Sequence, residues 1–371
     1  MRYQAKQRIR HTLVWVIILL AIAAVAVGIF VRVLRPAPVF SAAITQLDAS
    51  SVENITPFET GVFAVNEDQL TCYDPTGKNL WVTKLPQRNM AVGGDEKRAC
   101  AWQGSQVVLV NSQGLISLDQ SVHGADIRLV SVGADMFAAL TVEDDQFRVR
   151  VYNQNGRELD SLLFPDQSVL DMGFFGDNNS QLWVLVLDTH ATLPISRLQM
   201  YNPGKSITGR ITLNGQVAYR VIPTAKSIYT VSTRYINNWS NTNDMLSEQM
   251  IYGWSVIDVL KDKAGGIAFC MGSTEISGGG HSLPMVWYCH IDAGGRTTQY
   301  RRVSMPVGCE DAVITSSHIV AATGDGLYTM NLDGSNCRLY QPRPDVRMVG
   351  HIPGQSVILQ SGQEFFLQSM E

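Results

Sequence analysis

Beyond residue 38 the chain is written in short apolar runs separated by polar turns. Gly61–Val65 (GVFAV) and Gln69–Tyr73 (QLTCY) are rich in strand-forming side chains. Asn79–Thr83 (NLWVT) follows after Asp74-Pro75-Thr76-Gly77. Proline presets φ and glycine supplies a positive φ, so the four-residue segment reads as a tight turn between two strands. Period-2 alternation in runs of this length predicts antiparallel β-strands with one polar face.

The turn recurs. Related segments end at Gly156, Gly204, Gly295 and Gly334, giving turn glycines at 77, 156, 204, 295 and 334. Two of the gaps, 79 and 91 residues, are double length. Leu115–Asp119 and Ser255–Asp258 are weaker copies that divide them. The outcome is seven units of about 40–48 residues, each with several short strands. One four-stranded sheet cannot bury both its faces, so such units stack in a ring. The expected fold is therefore all-β, a propeller of about seven four-stranded blades. Two units lack a turn glycine, which leaves six or eight blades open. At the C-terminus, Ser356–Gln360 and Glu364–Gln368 read as the second and third strands of a last blade that has no fourth. Val39–Ile44 is the expected fourth strand, closing the ring and removing an open edge.

Ahead of this region, Thr12–Val31 is an uninterrupted run of 20 residues without a charged side chain. At about 1.5 Å per residue a helix of this length crosses a bilayer's hydrocarbon core. Arg2, Lys6, Arg8 and Arg10 precede it and Arg32 and Arg35 follow, a bias that keeps the N-terminus cytoplasmic. The chain thus divides into a basic cytoplasmic tail (1–11), one N-terminal transmembrane helix (12–34) and an extracellular β-propeller domain (38–371) on a single-pass cell-membrane anchor. The run exceeds a signal-peptide core, and its one small-residue cleavage site, Ser41-Ala42-Ala43, lies beyond Pro36 and Pro38.

Charge narrows the partners. Residues 38–371 keep 23 Lys+Arg against 33 Asp+Glu, a net charge of −10, which disfavours nucleic acid and anionic lipid. The six cysteines (72, 100, 270, 289, 309 and 337) form no CxxC pair. Export permits disulfides, with Cys270/Cys289 and Cys309/Cys337 on successive strands, but buried free thiols fit the spacing at least as well.

The stretch Leu70–Trp81 (LTCYDPTGKNLW) resembles the blade motif of quinoprotein-like propellers. Trp81 has no counterpart after the later turn glycines, so this resemblance implies the fold and not the quinone. Over most of the chain, the tail, span and repeats are similar to a family of single-pass membrane-anchored β-propellers of Gram-positive anaerobes. Trp183–Ser196, Thr208-Gly209 and Tyr252-Gly253-Trp254 carry that similarity. It implies fold and location; no activity comes with it.

Several segments invite a functional reading. His190 follows a strand without a titratable partner nearby in sequence. Glu143-Asp144-Asp145 lacks calcium-loop spacing and reads as a hairpin tip. Gly278–His281 is a flexible connection without the Lys-Ser/Thr of a phosphate loop. Asn54, Asn178 and Asn238 begin glycosylation triplets. Tyr235–Asn243, continuing to Met250, is the longest break in the strand rhythm and combines aromatics with amides. Tyr235, Asn237, Asn238 and Trp239 are the chosen binding residues, suited to a peptide, protein or cell-wall glycan. No catalytic residue, cofactor or metal site is assigned: no nucleophile elbow, zinc-binding HExxH or paired-carboxylate signature occurs. The expectation is a non-catalytic binding or scaffold module. The alternatives are a hydrolase, lyase or quinone-type oxidoreductase with its site in the central channel, and an assembly factor for envelope proteins.

Overall fold

The computed structural model describes residues 44–370, apart from 123–125, 177–178, 191, 225–226, 241, 274–281 and 343–345. Thr12–Val31, Val39–Ala43 and Gly278–His281 lie outside the described residues. Among those described, no helix is long and apolar enough to cross a membrane.

Eight antiparallel four-stranded sheets make up the propeller. Blades I to VII comprise residues 55–84, 91–121, 127–164, 168–214, 218–250, 254–304 and 309–342. Blade VIII joins residues 347–369 to the strand Ile44–Leu47. Within each blade the strands are lettered A to D in sheet order. Strand A of blade I lies against strands A of blades II and VIII, and the A strands of blades II to V touch in the same succession. The A strands therefore form the inner wall and the D strands the rim.

Burial follows from that placement. Strands B and C are covered on both faces by neighbouring blades, so most of their residues are buried. In blade I, Gly61–Val65 are all buried, and in blade V Ser227–Ser232 are buried without exception. Rim strands keep one face in water, and in Asn79–Lys84 only Thr83 is buried. The core is a series of inter-blade clusters: Phe63, Cys72, Met90 and Val108 join blades I and II, and Tyr229, Ile236, Phe269 and Cys289 join blades V and VI. Burying a side chain such as Phe269 contributes about 1.5–3 kcal/mol.

The count of seven blades is corrected to eight. Seven C–D turns exist, each closed by a backbone bond from its fourth residue to its first: Asp74, Asn111, Asn153, Asn202, Ser240, Asp292 and Asn331 begin them. Blade VIII has no such turn, because its strand D comes from the other end of the chain. Its ladder runs from Ile44 opposite Gln368 to Leu47 opposite Phe365. The expected closure is thus present, carried by Ile44–Leu47 within the described residues. The second turn holds Gly114, which the repeat reading passed over. The fifth has Asn243 in the left-handed region (φ 69°). Ser255–Asp258, a weaker copy of the repeat in sequence, lies within strand A of blade VI.

The turn glycine does more than supply φ. At Gly77 (φ 85°) a Cβ would collide with Thr45 on the rim strand of blade VIII. Each C–D turn rests in this way on the rim of the preceding blade. At one joint the roles exchange: the turn carries Asn243, and the rim strand beneath it carries Gly209.

Candidate functional site

Four antiparallel strands place every A–B and C–D turn on one face of the ring, and every B–C turn and D–A connection on the other. The two faces differ at the axis. On the A–B face, side chains from blade VI cross the ring. Lys261 Nζ reaches Glu59 Oε1 of blade I at 3.0 Å, and Leu260 packs on Gly354 of blade VIII. Gln355 of blade VIII donates to the Glu59 carbonyl at 2.8 Å. Blades VI and VIII are separated by blade VII, so they meet only where blades converge at the axis.

One layer deeper lies a buried strut. Asp258 of blade VI is 1% exposed. Its carboxylate accepts the N–H groups of Val259 (2.6 Å) and of Ile314 in blade VII (2.7 Å). His351 Nε2 of blade VIII completes it at 2.6 Å. Both oxygens are committed and three blades are tied, which makes Asp258 a structural group. Asp171 and Asp311 hold the equivalent position in blades IV and VII. Burial pushes both carboxyls above the ordinary range, against the neighbouring Arg220 at Asp171 and against His351 at Asp311.

The opposite face is built to present side chains. Six successive A strands, in blades III to VIII, carry a register shift near their start. The displaced residues are Arg128, Leu170, Tyr219, Ile257, Glu310 and Val349. Leu170 and Tyr219 are 42% and 40% exposed. A bulge re-aims one residue and is a recurrent device beside binding sites. Tyr219 is fixed there by accepting the Val256 N–H at 2.9 Å.

Beyond this mouth the same face has an apolar sector. Leu193 in the B–C turn of blade IV is 63% exposed, Met250 and Tyr252 at the end of blade V are 58% and 72%, and Val307 before blade VII is 98%. The Arg234 guanidinium lies 5.9 Å from the Tyr252 ring centre, within cation–π range. Among the described residues of these turns and connections from the B–C turn of blade IV to the connection into blade VII, Arg234 is the one Lys, Arg, Asp or Glu; Asp325 follows in the B–C turn of blade VII.

The residues chosen from sequence fall beneath this sector. Tyr235–Ser240 is strand C of blade V and Met245–Met250 its strand D, so the supposed break in rhythm is two strands. Asn237 and Asn238 are each 2% exposed, and Tyr235 and Trp239 are half-buried. Trp239 Nε1 donates to Thr230 Oγ1 at 2.9 Å, and Tyr235 pairs with Met250. Two amides inside the blade hid the strand from a hydrophobicity reading. Tyr252 and Val307 were missed because each is a single residue in a short connection; only their exposure marks them.

The other segments are structural. Asp144 and Asp145 adopt positive φ at a two-residue hairpin tip, and Glu143 is held by Arg148 and Arg150 at 3.1 and 2.9 Å. His190 donates its N–H to Asp188, whose carboxylate pairs with Arg197 at 3.0 Å. All six cysteines are free: five are buried and Cys337 is exposed. Cys270 and Cys289 face opposite sides of blade VI, Cys270 toward Cys309 of blade VII and Cys289 toward blade V. Burial raises the Cys100 and Cys309 thiols to about 12, so they are inert apolar side chains. Among the described residues no group of three His, Cys, Asp or Glu side chains is placed to hold a metal ion.

These features define an eight-bladed β-propeller. No family profile and no curated protein matches the chain. Solved structures do. BamB from Moraxella catarrhalis is similar at 10% identity over 90% of this chain and 100% of its own, with a TM-score of 0.53. The Dos1 propeller is similar at 8% identity, covering 88% and 95%, with a TM-score of 0.57. Hsv2 of Kluyveromyces lactis gives 8% identity, 79% and 98%, and 0.52. At these identities the likeness extends to the fold.

Proposed function

We propose that this protein is a non-catalytic scaffold which holds a protein partner on its B–C/D–A face, from an anchor in the cell membrane. The observation that carries the reading is the apolar sector: Tyr252 and Val307, 72% and 98% exposed, stand beside a ring of re-aimed side chains. Water does not favour such a display, and exposed apolar groups grouped on one face mark interaction sites. In this reading Tyr235, Asn237, Asn238 and Trp239 support the sector from below, by fixing the strand that follows Arg234. The propeller fold is compatible with binding, and the buried Asp258 strut gives the ring the rigidity a scaffold needs. The anchor itself is read from Thr12–Val31, and an extracellular position follows from the basic tail.

The test is site-specific photocrosslinking of the full-length protein in its native membrane. A crosslinking amino acid at position 252 or 307 is expected to give one discrete adduct that the purified partner reproduces. The same group at Asn155, in a C–D turn, is expected to give none. Equal adducts from both faces overturn the reading, and a ladder of glycan masses replaces the protein partner by cell wall. Orientation is tested separately by labelling Cys337 with a membrane-impermeant maleimide on intact cells. Labelling is expected, and its absence until lysis reverses the topology.

A further inference from the structure

The B–C/D–A face is divided by charge as well as by polarity. Its sector over blades I to III, up to the connection into blade IV, carries Glu67, Asp126, Asp144, Asp145 and Asp166, all exposed. Two cations stand among them: Arg88, 4.0 Å from Glu67, and the exposed Arg128 in the bulge of blade III, so the sector keeps an acidic excess. Glu143 adds nothing outward, since Arg148 and Arg150 neutralise it. The acidic sector abuts the apolar one at blade IV, where Asp166 in the connection is followed by the bulged Leu170 in strand A.

We propose that the partner engages this face through a segment in which apolar residues adjoin Lys or Arg. The apolar part meets Leu193, Tyr252 and Val307, and the basic part lies over Asp144, Asp145 and Asp166. The inference rests on the docking face proposed above and adds the chemistry of its occupant. An apolar sector alone discriminates poorly among partners, whereas opposed charges set orientation and speed encounter. The same acidic sector repels anionic lipid headgroups and nucleic acid.

The test uses two synthetic peptides with one shared apolar half, the other half being lysine-rich in the first and glutamate-rich in the second. Fluorescence anisotropy with the full-length protein in nanodiscs reads their affinities. The lysine peptide is expected to bind about tenfold more tightly at low salt, with the difference shrinking as added salt screens the charges. Asn replaces Asp at 144, 145 and 166 in the test variant because these positions have φ of 48°, 61° and 57°, which Asn tolerates. That variant is expected to lose the preference while melting as the parent does. The double variant Tyr252→Ser/Val307→Ser is expected to weaken both peptides alike. Equal binding of the two peptides, a preference that survives the Asn variant, or no saturable binding overturns this inference. Weakening by the double variant without any charge preference sinks it while leaving the docking face intact. Loss of the crosslinks at 252 and 307 sinks both.

Discussion

One face of this ring has two sectors that come from the same repeat and do opposite things. Over blades I to III the connections end in carboxylates: Asp126, Asp144, Asp145 and Asp166 stand in water. Over blades IV to VI the described residues of the equivalent connections carry one charge, on Arg234, and they leave Leu193, Tyr252 and Val307 exposed. The strands below are alike in both sectors. Connections carry little of the folding energy, so they are free to differ, and the difference is where partner selection resides. The sectors also differ at depth. The cross-axis contacts described above join blade VI to blades VIII and I, so the bracing meets the apolar sector at blade VI.

The largest test of that bracing is Asp258→Ala. It leaves the Val259 and Ile314 N–H groups and His351 without their acceptor, and removing one member of a buried pair costs about 3–5 kcal/mol. Asp126→Asn in the acidic sector is expected to stay within about 0.5 kcal/mol. Denaturant unfolding compares them, and a loss under about 1 kcal/mol for Asp258→Ala would show that the strut does not brace the ring. Next comes Gly77→Ala, at about 1–3 kcal/mol, because it adds a collision with Thr45 to the strain of positive φ. Gly362→Ala has positive φ but open space around it, so it isolates the strain. Equal losses in the two would remove the close approach from the account of ring closure.

Glu143→Gln probes the edge of the acidic sector. Burial raises this carboxyl, but the Arg150 hydrogen bonds and charge, with Thr141 and Arg148, bring it below the ordinary value. A lowered folded value stabilises the protein above the unfolded one and is lost as pH falls through the folded one. The variant is therefore expected to lose about 1 kcal/mol at neutral pH. That difference should vanish in acid, below the ordinary glutamate range; a difference that persists there would point to packing. The smallest effect on stability is expected from Tyr252→Ser and Val307→Ser, each within about 0.5 kcal/mol, although both should abolish crosslinking to a partner. A large loss of stability from either would mean that these side chains serve the fold.

Much of the architecture was legible because it is local. Asp74–Gly77 is a turn by its own chemistry, and Gly61–Val65 is a strand by its composition. The count failed for a topological reason. Turns were counted, and the blade that closes the ring has none, since Ile44–Leu47 and Glu364–Ser369 come from opposite ends of the chain. Strand C of blade V was hidden because Asn237 and Asn238 are buried amides in an otherwise apolar layer. Gly114 was passed over, and Asn243 stands where other turns have glycine, its space provided by Gly209 on the neighbouring blade.

By itself, then, the sequence determined most of the strands and turns and their repeat, which rest on near-neighbour dihedral preferences and period-2 burial, and it left a last blade short of the strand that Ile44–Leu47 supplies. Tertiary structure alone decided which face is crossed at the axis and which is open. Asp258 meets His351 because eight blades close at one angle and bring blades VI and VIII together past blade VII. The exposure of Tyr252 and Val307 was decided in the same way. Whether a side chain in a short connection is covered depends on its neighbours around the ring, and nothing in its own segment encodes that.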